Sequence, residues 1–253
     1  MIPSSLRLPE HSRKPRRTGI TMMIDTGLPL GHFRDVVSSM SSIVDYVKFG
    51  WGTALVTERI EEKMRALVES EVSFFFGGTL FEKYVSQDRF DDFVDLCRSC
   101  GLDTVEVSNG TIGMSNLEKA SYIHKLAGEF TVLSEVGFKD PTRSELLAAP
   151  RWVEFIEEDL EAGARLVITE ARESGRSGTC LPDGRLRVGL IEELVERIDP
   201  THLLFEAPTT ALQTYFVTRL GPEVNLGNIA PADLVSLETL RLGLRADTLE
   251  LFG

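Results

Sequence analysis

Four short apolar runs in the second half of the chain each end on or beside a glutamate. They are Thr104-Val105-Glu106-Val107-Ser108, Val132-Leu133-Ser134-Glu135-Val136, Leu166-Val167-Ile168-Thr169-Glu170 and Leu203-Leu204-Phe205-Glu206. If these runs are neighbouring parallel strands, Glu106, Glu135, Glu170 and Glu206 gather at one end of one sheet. Four buried anions without partners would be driven by desolvation and mutual repulsion to take up protons. The pattern therefore implies cations in the same place: a divalent metal, lysines or arginines. A site built that way suits an anionic substrate.

Histidine chemistry finds little support. His11 lies near the N-terminus, His124 inside a helical pattern and His202 at the entrance to a strand, which leaves His32 alone able to approach the glutamates. Lysines and carboxylates are then the expected proton-transfer groups, and Lys48 and Lys139 stand at strand ends. The segment from Glu170 to Arg176 is the densest polar stretch at a strand end. Arg172 offers a planar two-point donor and Ser174 a hydroxyl, with Gly175 beside them, so the stretch reads as an anion-binding loop rather than a merely solvated one. Gly77-Gly78-Thr79 could present backbone amides to an anion ahead of a helix, or be only a turn. Gly50-Trp51-Gly52 lacks the third glycine of a dinucleotide fingerprint and reads as a tight turn. Cys97 and Cys100 fall within a helical pattern and read as packing residues; no second pair completes a zinc site.

The elements that must position these residues alternate along the chain. Strand-like runs cover 20–24, 46–49, 72–76, the four glutamate runs, and 224–226; most are short and rich in β-branched or aromatic residues, as strands buried on both faces should be. Stripes of helical spacing separate them: Ile60, Met64, Leu67 and Val68; Phe90, Phe93, Val94 and Cys97; Trp152, Ile156 and Leu160; Leu190, Leu194 and Ile198; Leu234, Leu237 and Leu240. Ser115 and Glu118 fit a capping box. Eight such units in 253 residues match the roughly 250 of a closed (β/α)8 barrel. In that fold the chemistry sits at the C-terminal strand ends, a face that would receive Asp25, Lys48, Glu106, Glu135, Lys139, Glu170, Arg172, Glu206, Asn225 and Asn228. The loops after the last two strands often bind phosphate in barrels, which adds Asn228 to the anion-binding candidates.

Charge narrows the partners. The net charge is −12. Arg7, Arg13, Lys14, Arg16 and Arg17 against Glu10 give the first 18 residues +4, leaving −16 on the body. Such a body repels nucleic acid and anionic membrane surfaces, so an anionic substrate must be drawn by a local cluster of cations. No apolar run reaches membrane-spanning length, and the N-terminus has no hydrophobic signal core. Residues 1–18 read as a mobile basic tail, with a lid or subunit contact as the alternative, and residues 19–253 as one barrel domain. Three cysteines make no disulfide framework, and a reduced cytoplasmic location is the default expectation. A homo-oligomer is compatible with all of this.

The motifs resemble those of the phosphosulfolactate synthase family from about Gly19 to Thr248. The resemblance is carried by Lys48-Phe49-Gly50-Trp51-Gly52-Thr53, Gly77-Gly78-Thr79-Leu80-Phe81-Glu82, Glu135-Val136-Gly137, Glu173-Ser174-Gly175, Phe205-Glu206-Ala207-Pro208, Val224-Asn225-Leu226 and Ser236-Leu237-Glu238-Thr239-Leu240-Arg241. It implies a (β/α)8 enzyme that joins sulfite to phosphoenolpyruvate with Mg²⁺, and it assigns the proton donor to Lys139. Relatives include heat-stress-associated plant proteins, so a different acceptor or nucleophile, or a non-catalytic stress-associated barrel, are the alternatives. The chain departs from the family pattern where cations are usual: at Phe138, at Thr26 and across Thr209-Thr210-Ala211.

Overall fold

The computed structural model of the chain describes residues 5–9, 11–172 and 174–251. Glu10, counted above with the N-terminal charges, and Glu173, of the Glu-Ser-Gly motif, lie outside the described residues. Eight parallel strands form one nearly closed barrel: β1 (Thr21–Asp25), β2 (Tyr46–Phe49), β3 (Ser73–Phe76), β4 (Thr104–Val107), β5 (Thr131–Val136), β6 (Leu166–Thr169), β7 (Leu203–Glu206) and β8 (Leu226–Ile229). The hydrogen-bonded order is β3-β2-β1-β8-β7-β6-β5-β4, so β1 joins β8 and the seam falls between β3 and β4. Across that seam the Gly78 N–H donates to Glu106 Oε1 at 2.6 Å. The single (β/α)8 barrel expected from the alternating elements is the observed fold.

The helices are α1 (Leu30–Met40), α2 (Ile60–Glu69), α3 (Gly78–Val85), α4 (Phe90–Ser99), α5 (Asn116–Leu126), α6 (Pro141–Leu146), α7 (Ala149–Glu161), α8 (Val188–Arg197), α9 (Thr210–Leu220) and α10 (Leu234–Arg241). Their apolar stripes cover the outside of the sheet: Phe33, Leu67, Phe93, Trp152, Ile156, Leu194, Phe216 and Leu237 are buried there. Both members of the capping box at Ser115 and Glu118 are present. Cys97 is a buried packing residue, its thiol pushed up to about 12 by burial.

Strand alternation decides what the barrel encloses. Met22, Phe75, Leu133, Leu166, Ile168 and Leu204 form a separate apolar cluster inside it. Residues two positions further along a strand point the same way. Leu133 is followed by Glu135, Ile168 by Glu170, Leu204 by Glu206 and Tyr46 by Lys48. An apolar floor is thus overlaid by a charged layer at the C-terminal mouth.

β8 begins later than its apolar run suggests. Its register against β1 shifts by one residue, with Thr21 opposite Leu226 and Met23 opposite Ile229. This bulge, with Asn228 at φ 54°, re-aims Asn228 into the mouth. Asn225, expected at the mouth, lies instead at the opposite end. Its Oδ1 accepts the Ile20 N–H at 3.0 Å and its Nδ2 donates to Leu203 O at 3.0 Å, so the carboxamide extends the ladder before the strand proper begins. Arg241 closes the same end, donating to Val224 O and Ile20 O, which accounts for the Ser236–Arg241 motif. Residues 11–18 lie there too: Arg16 pairs with Asp45 at 3.1 Å, Ser12 and Thr18 donate to Glu223, and Lys14 donates to Val44 O at 2.7 Å.

Candidate active site

A cavity of about 300 Å³ opens at the C-terminal mouth of the barrel. Lys48 extends from the end of β2 into its centre. The ammonium lies 3.0 Å from Glu106 Oε2, 3.4 Å from Glu135 Oε2 and 3.4 Å from Glu206 Oε1. Lys139 reaches in from the β5–α6 loop. Its ammonium is 3.2 Å from Glu135 Oε1, 3.9 Å from Glu170 Oε2, 4.0 Å from Glu82 Oε1 and 3.3 Å from Thr79 Oγ1. The turn that releases Lys139 from the strand uses Gly137 at φ 127°, where a Cβ would lie 2.6 Å from Glu170 Cβ and 2.7 Å from the Trp152 ring. The two lysines thus sit among five buried carboxylates.

Burial and charge divide those carboxylates. Glu106 is pushed up to about 7, chiefly by burial. Burial would raise Glu135 as well, but Lys139 and Lys48 outweigh it and hold that carboxyl at about 2. Glu170 is raised well above the ordinary range by burial and by the charges of Glu135 and Glu206. Burial also raises Glu206, Lys48 offsetting part of that and Glu135 adding to it. Burial would lower both lysines, yet the surrounding carboxylates win and both are raised. The ammonium form of Lys139 is therefore the resting form at neutral pH.

These directions set a pH dependence. A carboxyl whose pKa is raised on folding holds its proton in the folded state after the unfolded chain has released it. Each such group lowers stability as pH climbs from the unfolded value of about 4.3 through the folded one. Glu106, Glu170 and Glu206 act in this sense, whereas Glu135 and Glu223, both lowered, withdraw stability only as pH falls below about 4. Metal-free protein should accordingly melt higher near pH 5 than near pH 8. Glu106→Gln should flatten that slope, and a melting temperature rising from pH 5 to 8 would contradict the assigned directions.

Of the residues expected at the site, Lys48, Lys139, Glu106, Glu135, Glu170, Glu206, Arg172, Asn228, Gly77 and Gly78 line the cavity. Ser174 and Gly175 do not; Ser174 is exposed on the β6–α8 loop and Gly175 sits near Leu212. The Gly77 and Gly78 amides are already engaged, by Phe49 O at 2.8 Å and by Glu106. Glycine is needed at 78 because a Cβ there would lie 2.4 Å from Ser108 Oγ and 2.7 Å from Glu106 Oε1. Asp25 turns away from the cavity to a buried pair with Lys63 at 2.6 Å and caps the Gly27 and Leu28 amides. Trp51 and Arg172 line the mouth with φ of 49° and 55°, and Arg172 Nη1 donates to Lys139 O at 3.3 Å.

Among the described residues three buried carboxylate oxygens that face the cavity, Glu106 Oε2, Glu135 Oε1 and Glu170 Oε2, have no hydrogen-bond partner, although each lies within 4 Å of a lysine. Among the described residues no three acidic, histidine or cysteine side chains close into a ready-made metal cage. Oxygens of this kind suit a hard divalent cation that keeps several waters and takes one or two carboxylates.

The sequence profile of the (2R)-phospho-3-sulfolactate synthase (ComA) family matches residues 9–247. The chain belongs to this family. It is 50% identical over 245 residues to the phosphosulfolactate synthase of Bacillus subtilis, covering 96% of this chain and 97% of that one. It is 42% identical to the phosphosulfolactate synthase of Methanothermobacter thermautotrophicus, covering 95% of each. Among solved structures, the orotidine 5′-monophosphate decarboxylase of Methanocaldococcus jannaschii superposes with a TM-score of 0.58 at 10% identity, over 88% of this chain and 97% of that one, a likeness of fold alone. As an enzyme of the phosphosulfolactate synthase family, the chain works on small molecules. Among its described residues no helix is long and apolar enough to cross a membrane.

The positions at which the resemblance leads one to expect cations have these places. Phe138 lies under the Arg143 guanidinium, 4.1 Å from the ring centroid. Thr209 caps α9, accepting the Leu212 N–H. Thr26 is exposed in the β1–α1 loop.

Proposed function

We propose that the cavity adds sulfite to phosphoenolpyruvate to give (2R)-phospho-3-sulfolactate with Mg²⁺ as cofactor. The observation that supports this most is the Lys139 ammonium, kept protonated by Glu135, Glu170 and Glu82 at the edge of the cavity. Sulfite attacks the methylene carbon through sulfur, forming the carbon–sulfur bond. The π pair of the alkene moves onto the substrate carboxylate. The neighbouring carbon then takes a proton from Lys139, and solvent returns one to the lysine. Arg172 and Asn228 hold the phosphate at the rim, and below it Lys48 helps Lys139 keep Glu135 anionic and offsets part of the burial that raises Glu106 and Glu206.

The orphaned oxygens of Glu106, Glu135 and Glu170, with Glu206 beside them, fit Mg²⁺ directly or through water. Bound there, the ion supplies Lewis-acid stabilisation of charge on the substrate carboxylate. Protein stripped of divalent metal and incubated with phosphoenolpyruvate and sulfite should form no phosphosulfolactate by phosphorus NMR, and Mg²⁺ should restore it. Undiminished turnover after stripping would remove the metal from the reading. Replacing each glutamate by glutamine then separates ligands from partners of the lysines.

The missing cations at Thr26, Phe138 and Thr210 favour a second reading, enolate chemistry of the same kind on a different acceptor or nucleophile. If the wild-type protein forms no product, lysines restored at those three positions discriminate. Recovered synthesis supports a diverged synthase, and continued silence supports the other acceptor.

A further inference from the structure

The β4–α5 loop is fastened by a buried carboxylate whose only part so far is a distant charge contact, 4.0 Å from the Lys139 ammonium. Glu82, in α3, is 1% exposed. Its Oε1 accepts the Ser108 hydroxyl at 2.5 Å, and its Oε2 accepts the N–H groups of Thr111 at 2.9 Å and Ile112 at 3.0 Å. Between these anchor points lies Gly110, whose carbonyl accepts the Lys139 N–H at 3.1 Å. The two loops meet closely there: a Cβ on Gly110 would lie 3.1 Å from Gly137 O and 3.5 Å from Lys139 Cγ.

We propose that Glu82 is a positioning residue for the reaction, setting the place of Lys139 by fixing the Ser108–Ile112 loop to which the Lys139 backbone is hydrogen-bonded. The inference rests on the reading of Lys139 as proton donor. A carboxylate suits the task because it only accepts, and one hydroxyl and two backbone amides converge on it. Removing it would leave the buried Ser108 hydroxyl unpaired and release the Thr111 and Ile112 amides, and the loop would move to satisfy them. Proton transfer tolerates little of this, since a displacement of about 1 Å can cost a factor of about 10² in rate.

Three substitutions separate geometry from charge. Glu82→Gln keeps length and shape: its carbonyl can accept both amides and its NH₂ can donate to Ser108. Glu82→Asp keeps the charge but shortens the reach by one methylene. Glu82→Ala removes every anchor. If position is what matters, kcat falls in the order Gln, Asp, Ala, with glutamine within about tenfold of wild type and alanine lower by about 10²-fold. The KM for phosphoenolpyruvate should stay within about threefold, because the phosphate contacts lie on other loops. A readout independent of turnover accompanies this: the rate at which acetic anhydride labels Lys139, read by peptide mass spectrometry, should rise in the aspartate and alanine variants as the lysine swings outward. The aspartate and glutamine variants carry the test if the alanine variant does not fold. Aspartate equal to or better than glutamine would overturn the proposal in favour of a charge effect. Unchanged labelling and wild-type kcat in folded variants would overturn it outright. If Lys139→Ala itself keeps full turnover, the proton-donor reading fails, and the labelling rates still decide whether Glu82 places the lysine.

Discussion

Lys139→Ala should lower turnover by about 10²–10⁴-fold, the range expected for loss of a general acid, while the protein stays folded. The side chain is 21% exposed, so its removal opens no sealed cavity, and the carboxylates it neutralised can take up protons. Its ammonium lies 3.2 Å from Glu135 Oε1 and within about 4 Å of two further carboxylates, which keeps it charged at working pH. The proton is therefore present on Lys139 when the reaction begins, and the basic carbon formed by sulfite addition supplies the driving force for its transfer. Lys139→Arg then separates charge from proton donation. Arginine preserves the positive charge, and with it substrate binding, but its guanidinium does not release a proton near neutrality. Turnover of the arginine variant should stay as low as that of alanine, with a KM closer to wild type. Lys139→Ala retaining more than about a tenth of wild-type turnover would assign the proton to another donor.

The charged layer was legible in the sequence because it follows the simplest rule of strand geometry. Glu106, Glu135, Glu170 and Glu206 each close an apolar run, and alternation by two carries them to the same side as Leu133, Ile168 and Leu204. The cations among them were legible as strand-end lysines. What sequence reading lacked was pairing: Lys48 joins carboxylates from β4, β5 and β7, contacts that close only when the sheet curls. β8 was misplaced because its bulge carries Gly227 and Asn228, residues that read as a turn. Gly227 nonetheless suits the barrel interior, since a Cβ there would lie 2.3 Å from Leu204 Cδ2 and 2.5 Å from Met22 Cε and those buried side chains would have to shift. Glu82 closes one of the family motifs, yet its sequence context assigns it no role, for another reason. It stands one turn into a helix, away from every strand end, and its one local signal is a charged residue directly after the buried Leu80 and Phe81. Ser174 offers a hydroxyl in a polar segment that follows a glutamate strand end, but in the fold that side chain is exposed away from the cavity.

Lys48→Met should be the most destabilising of the site substitutions, by about 3–5 kcal/mol at pH 8, the range for stripping one partner from a buried ion cluster. Lys48 is 5% exposed and touches three carboxylates that are themselves at most 2% exposed. Methionine roughly fills the space but leaves Glu106, Glu135 and Glu206 facing one another without their shared cation. At about 2–4 °C per kcal/mol for a chain of this size, the melting temperature should fall by roughly 6–20 °C. The loss should shrink toward pH 5, where the remaining carboxylates can meet the missing charge with protons, in keeping with the raised pKa of Glu106 and Glu206. Turnover should also drop, by about 10²-fold, because the cavity loses a cation beside the negative charge that develops in the reaction. A second substitution tests the cause. In the Lys48→Met background, Glu106→Gln removes the carboxylate closest to the lost ammonium, and it should restore stability at pH 8 even though it alone perturbs the wild type. The coupling in that double-mutant cycle should exceed about 1 kcal/mol. Additive effects, or a Lys48→Met protein that melts like wild type at pH 8, would mean that Lys48 does not hold the carboxylate layer together.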